Sequence, residues 1–94
     1  GKEVYMTACS ACHQPNGAGL PPQFPPITGS TVATGPLSGH LDLVLKGKPG
    51  TAMAAFGSQL NPTDLAAVIT YQRNALGNTV GDMIQPADVA AKQN

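Results

Sequence analysis

The sequence predicts an all-α protein of three to four short helices wrapped around a single centre. Three observations carry this. Apolar residues recur at helical spacing in separate stretches of the chain. No run shows the alternating β-branched pattern of a strand bounded by turn signals. Finally, both cysteines and one of the two histidines fall in the run Cys9-Ser10-Ala11-Cys12-His13.

The first helix is expected over residues 2–12, where Val4, Tyr5, Ala8, Cys9 and Cys12 form one stripe. Pro15 and Gly17 end it. On one helical turn the two thiols stand side by side, and each can add across a vinyl group of a porphyrin. His13, next in sequence, is then placed to bind the iron. Cys-x-x-Cys-His is the attachment signature of a c-type haem. A thioredoxin-like pair would need a parallel βαβ surround. A structural zinc site would need a second pair of ligands, and only His40 remains. A Cys9–Cys12 disulfide would close a tiny loop and stabilise little.

Residues 15–36 follow as a long loop with six of the chain's nine prolines. Proline stiffens it, and Leu20, Phe24 and Ile27 suit it to lie against one face of the ring. A short helix is expected at 39–46, with Ser38 as N-cap, Leu41, Val44 and Leu45 as its stripe, and Gly47 as its end. A loop of small residues runs from Lys48 to Gly57. The clearest helix then begins with Asn61 as N-cap, Pro62 at the first position and Asp64 near the positive end of the dipole. Leu65, Val68, Ile69, Gln72 and Leu76 mark its face, with Gln72 the polar exception. Arg73 sits near the negative end, and Gly77 closes the element. Residues 1–78 are thus expected to be the haem domain. Residues 79–94 form a polar tail, with a turn of helix at 86–92 packed loosely or not at all.

Ninety-four residues make one domain, small enough to gain from a cofactor as a staple. Aromatic side chains are few (Tyr5, Phe24, Phe56 and Tyr71), so a flat apolar ring would supply what the core lacks. Net charge is zero and 11% of residues are charged, against about 25% in ordinary domains. This excludes a nucleic-acid partner and argues against long-range electrostatic steering. No apolar run is long enough to cross a membrane. Covalent haem attachment takes place outside the cytoplasm, and no signal peptide is seen. A mature or excised segment of an exported chain is therefore expected. The abrupt opening at Gly1-Lys2-Glu3-Val4-Tyr5 favours a piece of a longer one.

The sixth iron position decides the function, because a carrier fills it and a sensor or catalyst leaves it open. Met6 lies on the attachment helix and cannot reach the opposite face. Met83 lies in the tail, and His40 reads as a solvated surface residue. Met53 sits in a loop between two helices, approached through Pro49-Gly50, and is the expected ligand. Methionine favours Fe(II) and raises the potential. The second nitrogen of His13 needs an acceptor, and the Pro25–Pro26 backbone is the expected source. No nucleophile–base pair suggests other chemistry.

Together these residues resemble a class I cytochrome c over residues 1–77. Gly1, Tyr5, Cys9-x-x-Cys12-His13, Pro25, Pro49-Gly50-Thr51-x-Met53 and Tyr71 carry the likeness. The resemblance implies that Pro25 gives its carbonyl to His13 and that Thr51 bonds a propionate. It also implies that Gly1 and Tyr5 cross Tyr71. The family's basic ring is mostly absent, with only Lys46 and Lys48 nearby. The run from Gly47 to Phe56, then Leu65 to Asn74 and Gly77-Asn78, resembles the C-terminal haem domain fused to some bacterial cytochrome c oxidase subunits II. The ending Gly81-Asp82-x-x-Gln85-Pro86-Ala87-Asp88-Val89 is similar to their tail. This implies an electron carrier, monomeric when isolated, within a membrane-anchored oxidase on the periplasmic side. A soluble cytochrome c would be its donor, and the copper centre of the same subunit its acceptor. A free periplasmic shuttle is the alternative. A haem sensor or peroxidase-like protein with an open sixth position is the alternative of another class.

Overall fold

Residues 2–13 build one helix with a break in it. A computed structural model describes residues 1–19, 26–48, 53, 55–57 and 59–93, apart from the side chains of Cys12 and Gln93. In place of one helix over 2–12 it has α1 (Lys2–Ala8) and α2 (Ser10–His13), separated at Cys9. The backbone ladder runs through the break: the Cys9 amide donates to Tyr5 at 2.9 Å and the His13 amide to Cys9 at 3.0 Å. The distortion has a local cause. The Ser10 hydroxyl donates to the Met6 carbonyl at 2.6 Å, and such back-bonding bends a helix.

The next helix, α3 (Leu37–Lys46), starts earlier than its sequence suggests. Pro36 is its N-cap, and no side chain caps it. Ser38 is therefore not the cap but lies inside the first turn. Proline, with its φ preset and no amide to satisfy, begins the helix unaided. The C-terminal reading holds: Gly47 ends α3 at φ 71°, and its amide bonds Leu43.

Helix α4 (Pro62–Asn74) matches its N-terminal signals but ends sooner than expected: Ala75 is its C-cap, so Leu76 and Gly77 lie beyond it and not on its face or at its close. The Asn61 side chain accepts from the Asp64 amide at 2.8 Å, and Pro62 opens the helix. It buries Leu65, Ala66, Val68, Ile69, Gln72 and Arg73. Gly1 lies against it, where an added Cβ would clash with the Ala67 carbonyl oxygen and come within 2.9 Å of the Tyr71 Cβ. The Tyr5 and Tyr71 rings pack with centroids 5.5 Å apart at 43°. This is the crossing of first helix and aromatic-bearing helix that the resemblance implies.

The segment after Asn78 corrects the expectation of a loose tail. Helix α5 (Pro86–Gln93) packs on α4 and α3. Val89 is fully buried, and Ile84 joins the same core. Residues 80–84 lie back along α4, whose polar side chains serve as their hydrogen-bond partners. The Ile84 amide donates to Thr70 Oγ1 at 2.9 Å, and the Val80 amide to the Arg73 carbonyl at 3.0 Å. Asn74 accepts from the Gly81 amide and donates to the Asp82 carbonyl, both at 2.6 Å. Lys92 bonds Ser38 at 2.9 Å and pairs with Asp42 at 3.3 Å, tying α5 to α3. The polar face of α4 is thus an anchoring face for the segment that follows it.

Candidate functional site

Cys9 lies in the break between α1 and α2, with φ −120° and ψ −31°. Its side chain is half-buried at the edge of the core. Cys12 follows one turn later within α2, and His13 is the last residue of that helix. Directly after His13 the chain turns away, because Gln14 adopts φ 68° and ψ 154°, a conformation costly for a residue with a side chain. Two bonds hold that turn. The Gln14 carbonyl accepts from the buried Tyr5 hydroxyl at 2.8 Å, and the His13 carbonyl accepts from the Gly19 amide at 2.9 Å. Burial pushes the Tyr5 phenol up to about 12, so it stays a donor across the working pH range.

The loop beyond is clamped at both ends. The Gly17 carbonyl accepts from the Ile27 and Thr28 amides at 2.7 and 3.2 Å. Buried Asn78 donates to the carbonyls of Ile27 (3.0 Å) and Gln72 (2.8 Å) and accepts from the Gly29 amide (2.8 Å). Ile27 is in the core. Leu20, Phe24 and Pro25, expected against the ring and His13, lie outside the described residues, as do Thr51, Ala52 and Ala54.

Met53 is half-buried and packs against the core cluster with Phe56 and Leu60. Its carbonyl accepts from the Lys48 amide at 3.2 Å. Further along the same loop, the Phe56 amide bonds the Val44 carbonyl at 2.9 Å and the Gly57 amide bonds Leu45 at 3.1 Å. These carbonyls belong to the last turn of α3, which has no intrahelical donors for them. The Met53 loop is therefore the C-terminal cap of α3. Gly57 permits this approach, since a Cβ there would stand 2.9 Å from the Leu45 oxygen. Met6 packs on the core as filler, while Met83 is 73% exposed.

His40 is not solvated, as its sequence position suggests; it is 3% exposed. Its Nε2 lies 2.7 Å from Gln72 Oε1, and its Nδ1 lies 3.4 Å from Arg73 Nη1. Burial lowers its pKa; the Gln72 bond and Asp82 oppose this, and the Arg73 charge adds to it. Arg73 is equally buried. Its Nε meets both Asp82 oxygens, at 3.1 and 2.9 Å, and its Nη2 donates to the Gly35 carbonyl at 2.8 Å. Gln72 Nε2 donates toward Cys9 Sγ at 3.8 Å. This network escapes a reading of local pattern. Its one sequence signal is Gln72 on an otherwise apolar face.

The donor chemistry fits a c-type haem: two cysteines one turn apart in the chain, a histidine at the end of that turn, and a methionine on a separately anchored loop. Among the described residues no three His, Cys, Asp or Glu side chains cluster to hold a metal ion by themselves. No helix among them is long and apolar enough to cross a membrane.

Residues 1–71 match the family model described as cytochrome c oxidase, cbb3-type, subunit III. The chain is 28% identical over 99 residues to the cytochrome c subunit of alcohol dehydrogenase (quinone) of Gluconobacter oxydans, covering 95% of this chain and 21% of that protein. It is 32% identical over 103 residues to the gluconate 2-dehydrogenase cytochrome c subunit of Pantoea cypripedii, with 97% and 23% covered. It is 31% identical over 91 residues to cytochrome c-552 of Thermus thermophilus, with 83% and 69% covered. The chain therefore spans about a fifth of the length of the dehydrogenase subunits. These likenesses place the all-α fold with the class I cytochromes c. The chain belongs to the cytochrome c family represented by that model, as an electron-transfer domain that carries one kind of cofactor, a covalently bound c-type haem.

Proposed function

We propose that the chain relays single electrons through a six-coordinate c-type haem that Cys9 and Cys12 would attach and whose iron His13 and Met53 would bind. The haem supplies the one-electron couple. The protein supplies covalent attachment, ligand orientation and exclusion of water. Pro25 would orient His13, and Thr51 would hold a propionate. The observation that carries this reading is the anchorage of the Met53 loop on the last turn of α3. A ligand held by a clamped loop moves little between oxidation states, which suits transfer rather than ligand exchange.

The relay is wired, in this reading, within a larger extracytoplasmic assembly. The donor is a soluble cytochrome c, and the acceptor is the copper centre of a terminal oxidase whose subunit II carries this domain. Residues 1–78 form the haem domain, a single copy suffices, and residues 79–94 brace it. The runs Gly47–Phe56 and Gly81–Val89 support that wiring. A second reading, a haem domain of a dehydrogenase cytochrome subunit, draws support from the relatives with those names.

The discriminating experiment uses the full-length parent protein in membranes. Reduced soluble cytochrome c is mixed rapidly with the oxidised protein, and haem reduction is followed with and without copper chelation. Oxidase wiring predicts fast reduction and onward transfer that stops when copper is removed. Onward transfer indifferent to copper, with reduction driven by an alcohol or sugar-acid substrate, would favour the second reading. The rate of donor transfer should depend weakly on ionic strength, because the chain carries only five Lys and Arg residues, of which Lys46 and Lys48 adjoin the Met53 loop in sequence.

A further inference from the structure

The polar network beneath the attachment helix has a defined direction, and that direction bears on the haem. Arginine only donates, so the contact of Arg73 Nη1 with His40 Nδ1 makes Nδ1 the acceptor. The proton of a neutral imidazole then sits on Nε2, which donates to Gln72 at 2.7 Å. The Gln72 atom facing His40 must therefore be its oxygen, and its NH2 group faces Cys9 Sγ. Each orientation follows from the one before, starting at a guanidinium anchored by Asp82.

We propose that Gln72 and His40 are positioning residues that raise the haem reduction potential by holding the positive end of the Gln72 amide dipole against the Cys9 sulfur. This rests on Cys9 carrying a haem thioether. An oriented dipole in a buried site acts at low effective dielectric. Its positive end beside the ring edge disfavours the more positive ferric state. His40 does not touch the sulfur and acts through Gln72. Asp82 lies beyond residue 78, so the C-terminal segment helps set the orientation as well as bracing the fold.

The test is the midpoint potential of the holoprotein, read together with the ferric haem-methyl NMR shifts. Gln72→Leu should lower the potential. The equilibrium constant for reduction by a fixed donor should fall about threefold, the effect of one modest hydrogen bond. The methyl shifts nearest the Cys9 thioether should move most. His40→Phe should lower the potential by less, and adding it to Gln72→Leu should change nothing more, since it works through the same amide. If Gln72→Leu fails to fold, the near-isosteric Gln72→Glu keeps an acceptor for His40 and should lower the potential further. A potential unchanged or raised in the folded variants overturns the proposal. A pyridine haemochrome spectrum of the parent protein showing both vinyls unsaturated overturns the attachment at Cys9, and the proposal with it. A c-type spectrum with an unmoved potential overturns the proposal alone.

Discussion

The buried phenol of Tyr5 donates to the carbonyl of Gln14 at 2.8 Å, so a core side chain grips the backbone one residue after His13. Gln14 is held there at φ 68°. Tyr5→Phe removes the bond and keeps the packing against Tyr71. The holoprotein should lose about 1 kcal/mol, a fall of roughly 4–8 °C in Tm for a domain of this size. Thermal unfolding followed by circular dichroism checks this. An unchanged Tm would mean that the turn after His13 is held by other contacts.

The segment after Asn78 contributes core as well as polar anchorage. Deleting residues 79–94 removes Ile84 and Val89 and leaves the Arg73 guanidinium without Asp82. Each apolar side chain is worth about 1.5–3 kcal/mol, and stranding a buried charge adds to the loss. The truncated holoprotein should be less stable by about 3 kcal/mol or more in urea unfolding. A loss under about 1 kcal/mol would return the segment to the status of a loose tail.

His40 links stability to pH. Its folded pKa is lowered, chiefly by burial, so the unfolded chain takes up a proton that the folded one refuses. Stability should be full above the ordinary histidine value of about 6.5 and decline as pH falls below it toward the lower folded value. Chemical unfolding at pH 7.5 and 5 measures the slope, and His40→Gln should flatten it. A slope that persists in that variant would assign the titration elsewhere.

Local signals in the sequence agree with the structure where structure is decided locally. Asn61, Pro62 and Asp64 act within one turn, and so does Gly47. Position within the tertiary structure decided what pattern could not. Ser38 has the chemistry of a cap, but Pro36 already starts α3. His40 and Arg73 look solvated by type, yet each is buried by a partner more than thirty residues away, or by Asp82 on the segment laid back over α4. Val89 has too few apolar neighbours in sequence to announce a buried helix, and its burial comes from α4. The Cys9–His13 motif was legible because attachment chemistry needs consecutive residues. The network beneath it was not, because it joins α3, α4 and the C-terminal segment.

Met53 as the sixth ligand is the central claim, and Met53→Ala tests it most directly through the reduction potential and carbon monoxide binding of the purified holoprotein. The variant should keep its haem through Cys9 and Cys12, show a lower potential, and bind carbon monoxide at once in the ferrous state, while the parent protein binds it slowly or not at all. A variant with the parent's spectrum, potential and resistance to carbon monoxide would show that another residue, or none, completes the iron. A parent protein that itself binds carbon monoxide immediately would make the chain a sensor or catalyst instead of a carrier.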